Sequence, residues 1–263
     1  MLGQTDFRPE YIEAANVTQL ALHVVTQLAR SNTIEKGEAQ RELLQLLVRF
    51  ARTGDEAVMQ RLQLEMRRSR ISAEQVIDVY IPAAVLHLGN CWHDGELDVL
   101  QTSVASARLQ TLLRELGRAW AADQCGSSQG PRVLLVLPKG EQHTLGAMIA
   151  ANQLRRTGVS VRMQLLPDPS MVSAELNKLS FDAVFMSVSN ESCLDSCQEM
   201  IDTIRRSVQR RVPIVIGGGL LSMGHPVLTP ARIAALTGAD IASLSVIEAL
   251  TFCGLLARSE AAE

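Results

Sequence analysis

Up to about residue 122 the apolar residues recur every three or four positions, and no stretch of strict alternation interrupts them. That period places side chains along one face of a helix. It predicts helices over roughly 10 to 31, 36 to 52, 55 to 69, 72 to 90 and 98 to 122, with Leu43, Leu46, Leu47 and Phe50 marking one stripe. The punctuation agrees. Gly37 and Gly54 fall where helices should stop, Asp55 and Ser72 where N-caps should begin, and Gln75 stands where it completes a capping box with Ser72. Helices joined by short loops bury such stripes against one another, so the first half, residues 1–124, reads as an all-α bundle.

Residues 125 to 131, C-G-S-S-Q-G-P, are polar and glycine-rich and read as a linker. Beyond them short apolar runs appear at 133–137, 159–166, 183–187 and 213–216, with a weaker one at 240–243. Helical stretches near 145–157, 170–179, 192–209, 229–236 and 245–257 separate or follow these runs. Buried strands alternating with helices predict a parallel, doubly wound sheet, so residues 131–263 are expected to form a flavodoxin-like, Rossmann-like α/β domain after the helical one.

Composition narrows the function class. Hydrophobic residues make up 47% of the 263, enough for two real cores. A formal charge of −3 with scattered Lys and Arg gives no basic stripe for a phosphate backbone; the clusters at Arg67, Arg68 and Arg70 and at Arg205, Arg206, Arg210 and Arg211 read as solvated helix faces. Five dispersed cysteines fit reduced thiols rather than a disulfide framework, and none has zinc spacing. Cys193 and Cys197, four apart on a helix, read as idle thiols, and His23, His87 and His225 as packing or surface residues. No apolar run is long enough to span a bilayer, and the start M-L-G-Q-T-D-F-R-P-E lacks signal-peptide structure. A cytoplasmic location away from the membrane is the expectation.

The first strand runs into L-P-K-G-E-Q-H-T-L-G, which puts Glu141, His143 and Gly146 outside the carboxyl edge of the sheet, where open α/β folds bind ligands. A carboxylate two residues before a loop histidine can accept one ring proton, fix the tautomer and strengthen the other nitrogen as a metal ligand. Two more segments end strands on the same edge: Ser187 to Ser189, S-V-S, and Gly217 to Gly219, G-G-G. Small hydroxyls supply hydrogen bonds without bulk, and a glycine run lets a flat organic body approach the backbone.

The order E-x-H-x-x-G, S-x-S, G-G resembles the cobalamin-binding signature of methionine synthase and its relatives, D-x-H-x-x-G, S-x-L, G-G, and the intervals 147–186 and 190–216 match that family's spacing. The resemblance implies His143 as the ligand below cobalt, Glu141 as its partner and Ser187 next in the hydrogen-bond chain. It also implies a cofactor contact set of Gln142, Thr144, Leu145, Gly146, Ser187, Ser189, Gly217, Gly218 and Gly219. L-G-N-C-W-H-D-G-E-L-D-V around Trp92 resembles the helical cap over the upper corrin face, in which Trp92 would shield the metal. That cap motif ends in a Glu-His step, and here Thr102 and Ser103 occupy it.

The string K-G-E-Q-H-T-L-G, with its glutamate, is similar more narrowly to the AerR/PpaA antirepressors of purple photosynthetic bacteria. The resemblance implies a non-enzymatic, light-responsive regulator that binds cobalamin, in the adenosyl or the hydroxo or aquo form. It would act on a CrtJ/PpsR-type repressor of photosystem genes and meet DNA only through that partner. A related group binds haem in a similar domain, which makes haem the second choice. A corrinoid shuttle for a methyltransferase is the alternative function.

Overall fold

The computed structural model describes residues 38–123, 130–223 and 227–256. The expected helix at 10–31, His23, Gly37, His225, most of the linker and the end of the last helix lie outside the described residues.

In the N-terminal half, α1 (Glu38–Thr53) ends at Gly54, whose φ of 67° reverses the chain, and α2 (Glu56–Arg68) starts from an Asp55 cap that accepts from the Ala57 amide at 2.8 Å. The anticipated capping box forms: the Ser72 hydroxyl accepts from Gln75 N while the Gln75 side chain accepts from Ser72 N. The stretch expected as one helix from 72 to 90 is three pieces, α3 (Ala73–Gln75), a π-turn at Val76–Tyr80, and α4 (Ile81–His93). Pro82 explains the change. Having no N–H, it cannot close an α-helical bond in that turn, and the preceding Ile81 N–H reaches back to Val76 O.

The next helix, α5 (Val99–Leu116), is separated by Gly117 from α6 (Arg118–Asp123), where a single helix from 98 to 122 was expected. Leu43, Leu47, Leu62, Ile77, Ile81, Leu88 and Leu109 are fully buried at the centre of these helices. Arg108 donates to the carbonyls of Ala51 and Arg52 at 2.9 and 2.7 Å, satisfying the end of α1.

The second half is a five-stranded sheet, every described pair parallel, in the order β2-β1-β3-β4-β5. Its strands are β1 (Arg132–Leu137), β2 (Ser160–Leu165), β3 (Ala183–Ser187), β4 (Ile214–Gly217) and β5 (Ile241–Ala242). Between and after them come α7 (Thr144–Arg156), α8 (Pro169–Lys178), α9 (Leu194–Ser207), α10 (Pro230–Thr237) and α11 (Val246–Phe252). Two apolar layers sandwich the sheet. Leu134, Val136, Val184, Met186, Ile214 and Ile216 face α8, α9 and α10, while Val133, Leu135, Leu137, Phe185 and Val215 face α7 and α11. Both faces are covered, which is why β1 and β3 read as unbroken apolar runs instead of alternating ones.

Packing divides the chain into two compact units between Leu109 and Gln110, inside α5. The last turns of α5 and all of α6 belong with the sheet because they lie along α7: Gln110 Nε2 donates to Thr144 Oγ1 at 3.0 Å, and the Trp120 ring lies 5.6 Å from the Arg156 guanidinium.

At the amino edge of the sheet Asp240 accepts from Ile214 N at 2.7 Å, from Arg205 and from Arg211. Burial alone would raise this carboxyl, but the Ile214 amide and the two guanidiniums outweigh burial and hold it below 3.8. A depressed carboxyl stabilises the fold above its unfolded value and loses that contribution as pH falls through the folded one. Asp240→Asn is therefore expected to flatten the fall in urea-unfolding stability between about pH 4 and pH 2. An unchanged slope would show that the cluster contributes nothing.

Candidate functional site

The sheet order places a topological switch point between β1 and β3, where the chain leaves the two neighbouring strands toward opposite faces. The β1–α7 loop crosses this point. Gly140, at φ 93°, makes the turn, and Glu141 N returns to Pro138 O at 3.1 Å. The turn drives the Glu141 side chain inward until the residue is 1% exposed.

Glu141 accepts three hydrogen bonds there. Oε1 takes the His143 amide and the His143 ring Nδ1, both at 2.7 Å, and Oε2 takes the Ser189 amide at 2.5 Å. Desolvation would raise this carboxyl, yet the His143 ring and amide and the Ser189 amide together bring it below the usual glutamate range. Glu141 thus stays an acceptor, and the imidazole proton on that side is held at Nδ1. His143 is the N-cap residue of α7, its side chain is 40% exposed, and no described residue hydrogen-bonds to Nε2. The arrangement is a fixed imidazole with one nitrogen presented outward at the carboxyl edge of the sheet.

Glu141 also joins two strand ends. Ser189 follows β3, and Val188 between the two serines donates to Gly217 O at 2.9 Å and accepts from Leu220 N at 3.0 Å, which ties in the end of β4. The three segments picked out by motif, 141–146, 187–189 and 217–219, therefore meet at one edge through backbone bonds and one carboxylate.

Residues 131–246 match the B12 binding domain family. An uncharacterized 20.5 kDa protein in the bchF-crtJ intergenic region of Rhodobacter capsulatus is 36% identical over 177 residues, covering 67% of this chain and 89% of that protein. The chain belongs to the AerR/PpaA family. Cobalamin is the cofactor of its B12-binding domain. More distant likenesses are to a cobalamin-binding protein from Desulfitobacterium hafniense DCB-2 (15% identity, TM-score 0.41, 82% of this chain and 98% of that one) and to the methanol:cobalamin methyltransferase complex MtaBC from Methanosarcina barkeri (14%, 0.42, 95% and 93%). At those scores neither adds to the case.

The residues of this AerR/PpaA chain fit the cofactor. Among the described residues no group of three or more His, Cys, Asp or Glu could enclose a bare metal ion. A lone imidazole with a buried carboxylate behind it suits a metal whose remaining ligands come from a macrocycle. Gly146, exposed, has nothing within 4 Å of where a Cβ would stand, so the start of α7 is open for close approach.

One expectation changes. The Ser187 hydroxyl is not the next link after Glu141; the Ser189 backbone amide is. Sequence reasoning looks to side chains for such chains, and the register of the β3 end decided this one. The middle glycine of the G-G-G run also has an internal role. At Gly218, φ 103°, a Cβ would fall 2.5 Å from Val188 O and 2.6 Å from Val188 N, so glycine is required by the neighbouring loop before any ligand arrives. Gly218→Ala should lower stability by about 2 kcal/mol or more, measured by denaturant unfolding. A loss within about 0.5 kcal/mol would mean the loop relaxes freely.

Gln142, Thr144 and Leu145 border His143, with Gln142 exposed and the other two half-buried, while Gly217 is half-buried and Gly219 buried. Trp92 belongs to the helical unit, half-buried at the end of α4. Thr102 and Ser103 bond back into their own helix, to Asp98 O at 2.9 Å and Val99 O at 2.8 Å. Cys193 and Cys197 are buried, and burial followed by the Glu141 charge or the neighbouring thiol pushes both up, Cys197 to about 12, which makes them poor nucleophiles. No described helix is long and apolar enough to cross a membrane.

Sequence reasoning missed Gln110. The helical period placed it on a bundle helix, and only the packing of α5 along α7 brings it to the residue after His143.

Proposed function

We propose that this chain is a light-responsive regulator without enzymatic activity of its own, which binds adenosyl- or hydroxocobalamin and relieves a CrtJ/PpsR-type repressor of photosystem genes by protein contact in the cytoplasm. The observation that carries the cofactor half is the Glu141–His143 pair, with Nδ1 engaged at 2.7 Å and Nε2 presented outward. What supports the regulatory half is the relative's place beside crtJ in Rhodobacter capsulatus. His143 would hold cobalt from below, and Glu141 would orient the ring and strengthen it as a donor. When bound, cobalamin would supply the light-sensitive chemistry. The chain would respond through unequal affinity for the cofactor in two arrangements of its parts, which shifts the surface offered to the repressor. DNA would be met only through that partner.

Where the cap motif has its Glu-His step this chain has Thr102 and Ser103, whose hydroxyls bond to their own helix, so no histidine stands at that place. The test is an absorption spectrum of the purified protein, dark and illuminated, followed by repressor binding in both states. A cobalamin spectrum that changes with light, together with light-dependent repressor binding, is the expected result. Methyl transfer in a reconstituted assay would establish the corrinoid shuttle instead. A Soret band would establish haem.

A further inference from the structure

Three contacts join the end of α5 and the following α6 to α7 in parallel register: Gln110 with Thr144, Gly117 with Asn152, and Trp120 with Arg156. The middle contact is tight enough that a Cβ on Gly117 would stand 2.2 Å from the Asn152 side-chain nitrogen. The helix headed by His143 is thus supported along its length by the end of α5 and by α6. The first contact is the informative one. Thr144 is the first residue of α7, directly after His143, and its hydroxyl accepts from Gln110 at 3.0 Å. Gln110 is itself the first residue past the boundary between the two compact units, within the uninterrupted helix α5.

His143 makes no side-chain capping bond to α7, and the ring and its amide are both turned to Glu141. The loop is therefore held from the β3 side by a carboxylate and from the α5 side by one neutral hydrogen bond. We infer that Gln110 is a positioning residue: through Thr144 it fixes the entry of α7, and hence the direction of the His143 ring. The inference rests on His143 being the ligand to the metal, and it adds the residue that holds the ligand loop from the α5 side.

The test compares the full chain with Gln110→Ala, Thr144→Val, the double variant and Thr144→Ser, which keeps the acceptor. The first readout needs no cofactor: the imidazole resonances of His143 in the cofactor-free protein, assigned by their loss in His143→Ala. The second is hydroxocobalamin affinity. Gln110→Ala and Thr144→Val should each broaden or split the His143 ring signal and weaken binding by roughly three- to ten-fold, with the double variant no worse than either single one and Thr144→Ser near wild type. Unchanged ring signals and affinity in both single variants would overturn the positioning role, as would additive losses in the double variant. Failure of the ligand reading looks different: His143→Ala would then keep the bound spectrum, whatever the Gln110 variants do.

Discussion

Purified His143→Ala protein should emerge essentially free of cobalamin while keeping its fold. The side chain is 40% exposed at the mouth of a loop and packs in neither apolar layer, so its removal leaves no core cavity. Its one side-chain bond is to Glu141, which keeps the His143 and Ser189 amides as donors after the change. The stability loss should thus stay near 1 kcal/mol. On the proposed function, in which the His143 imidazole holds the metal, the loss of cofactor should be at least ten-fold in affinity. Absorbance of the protein as purified, and after incubation with hydroxocobalamin and gel filtration, reads the result. A variant that retains the cofactor with an unaltered spectrum would remove His143 from the metal.

The second large effect belongs to Glu141. Glu141→Gln changes almost no volume, which isolates the electrostatics. One carboxylate oxygen serves two donors from His143 and the other serves the Ser189 amide. An amide side chain has a single acceptor oxygen, so its NH2 must oppose a donor on one side or the other. A buried unmatched N–H costs about 1–3 kcal/mol, and the charge-assisted character of the remaining bonds is lost as well. We expect about 2 to 4 kcal/mol of destabilisation in urea unfolding, and cobalamin affinity lowered ten- to a hundred-fold, the range for a partner that orients a metal-bound histidine. The two variants differ in kind: His143→Ala should separate binding from stability, and Glu141→Gln should damage both. Equal stability of Glu141→Gln and wild type would show that the strand ends hold together without the carboxylate.

Much of this was legible along the chain. Parallel strands covered on both faces leave unbroken apolar runs, so Val133 to Leu137 and Ala183 to Ser187 announced themselves within a residue of their observed bounds. Caps are local bonds, and the Ser72–Gln75 box and the Asp55 cap were readable for that reason. Pairing of Glu141 with His143 was readable too, because two residues of separation in a tight loop bring side chain and ring together with little help from the rest of the fold.

What the sequence determined by itself was therefore the class of each half, the sheet edge that carries the motifs, the pairing of His143 with Glu141, and the family signature. Tertiary structure alone decided the rest. It made the Ser189 amide, and not the Ser187 hydroxyl, the third member of the network, because strand register sets which N–H faces the carboxylate. It made Gly218 a packing necessity against Val188 and brought Gln110 to Thr144 across 34 residues. Periodicity reports which face of an element is buried, whereas these contacts depend on which element covers it, and that is fixed only when helices and strands have docked.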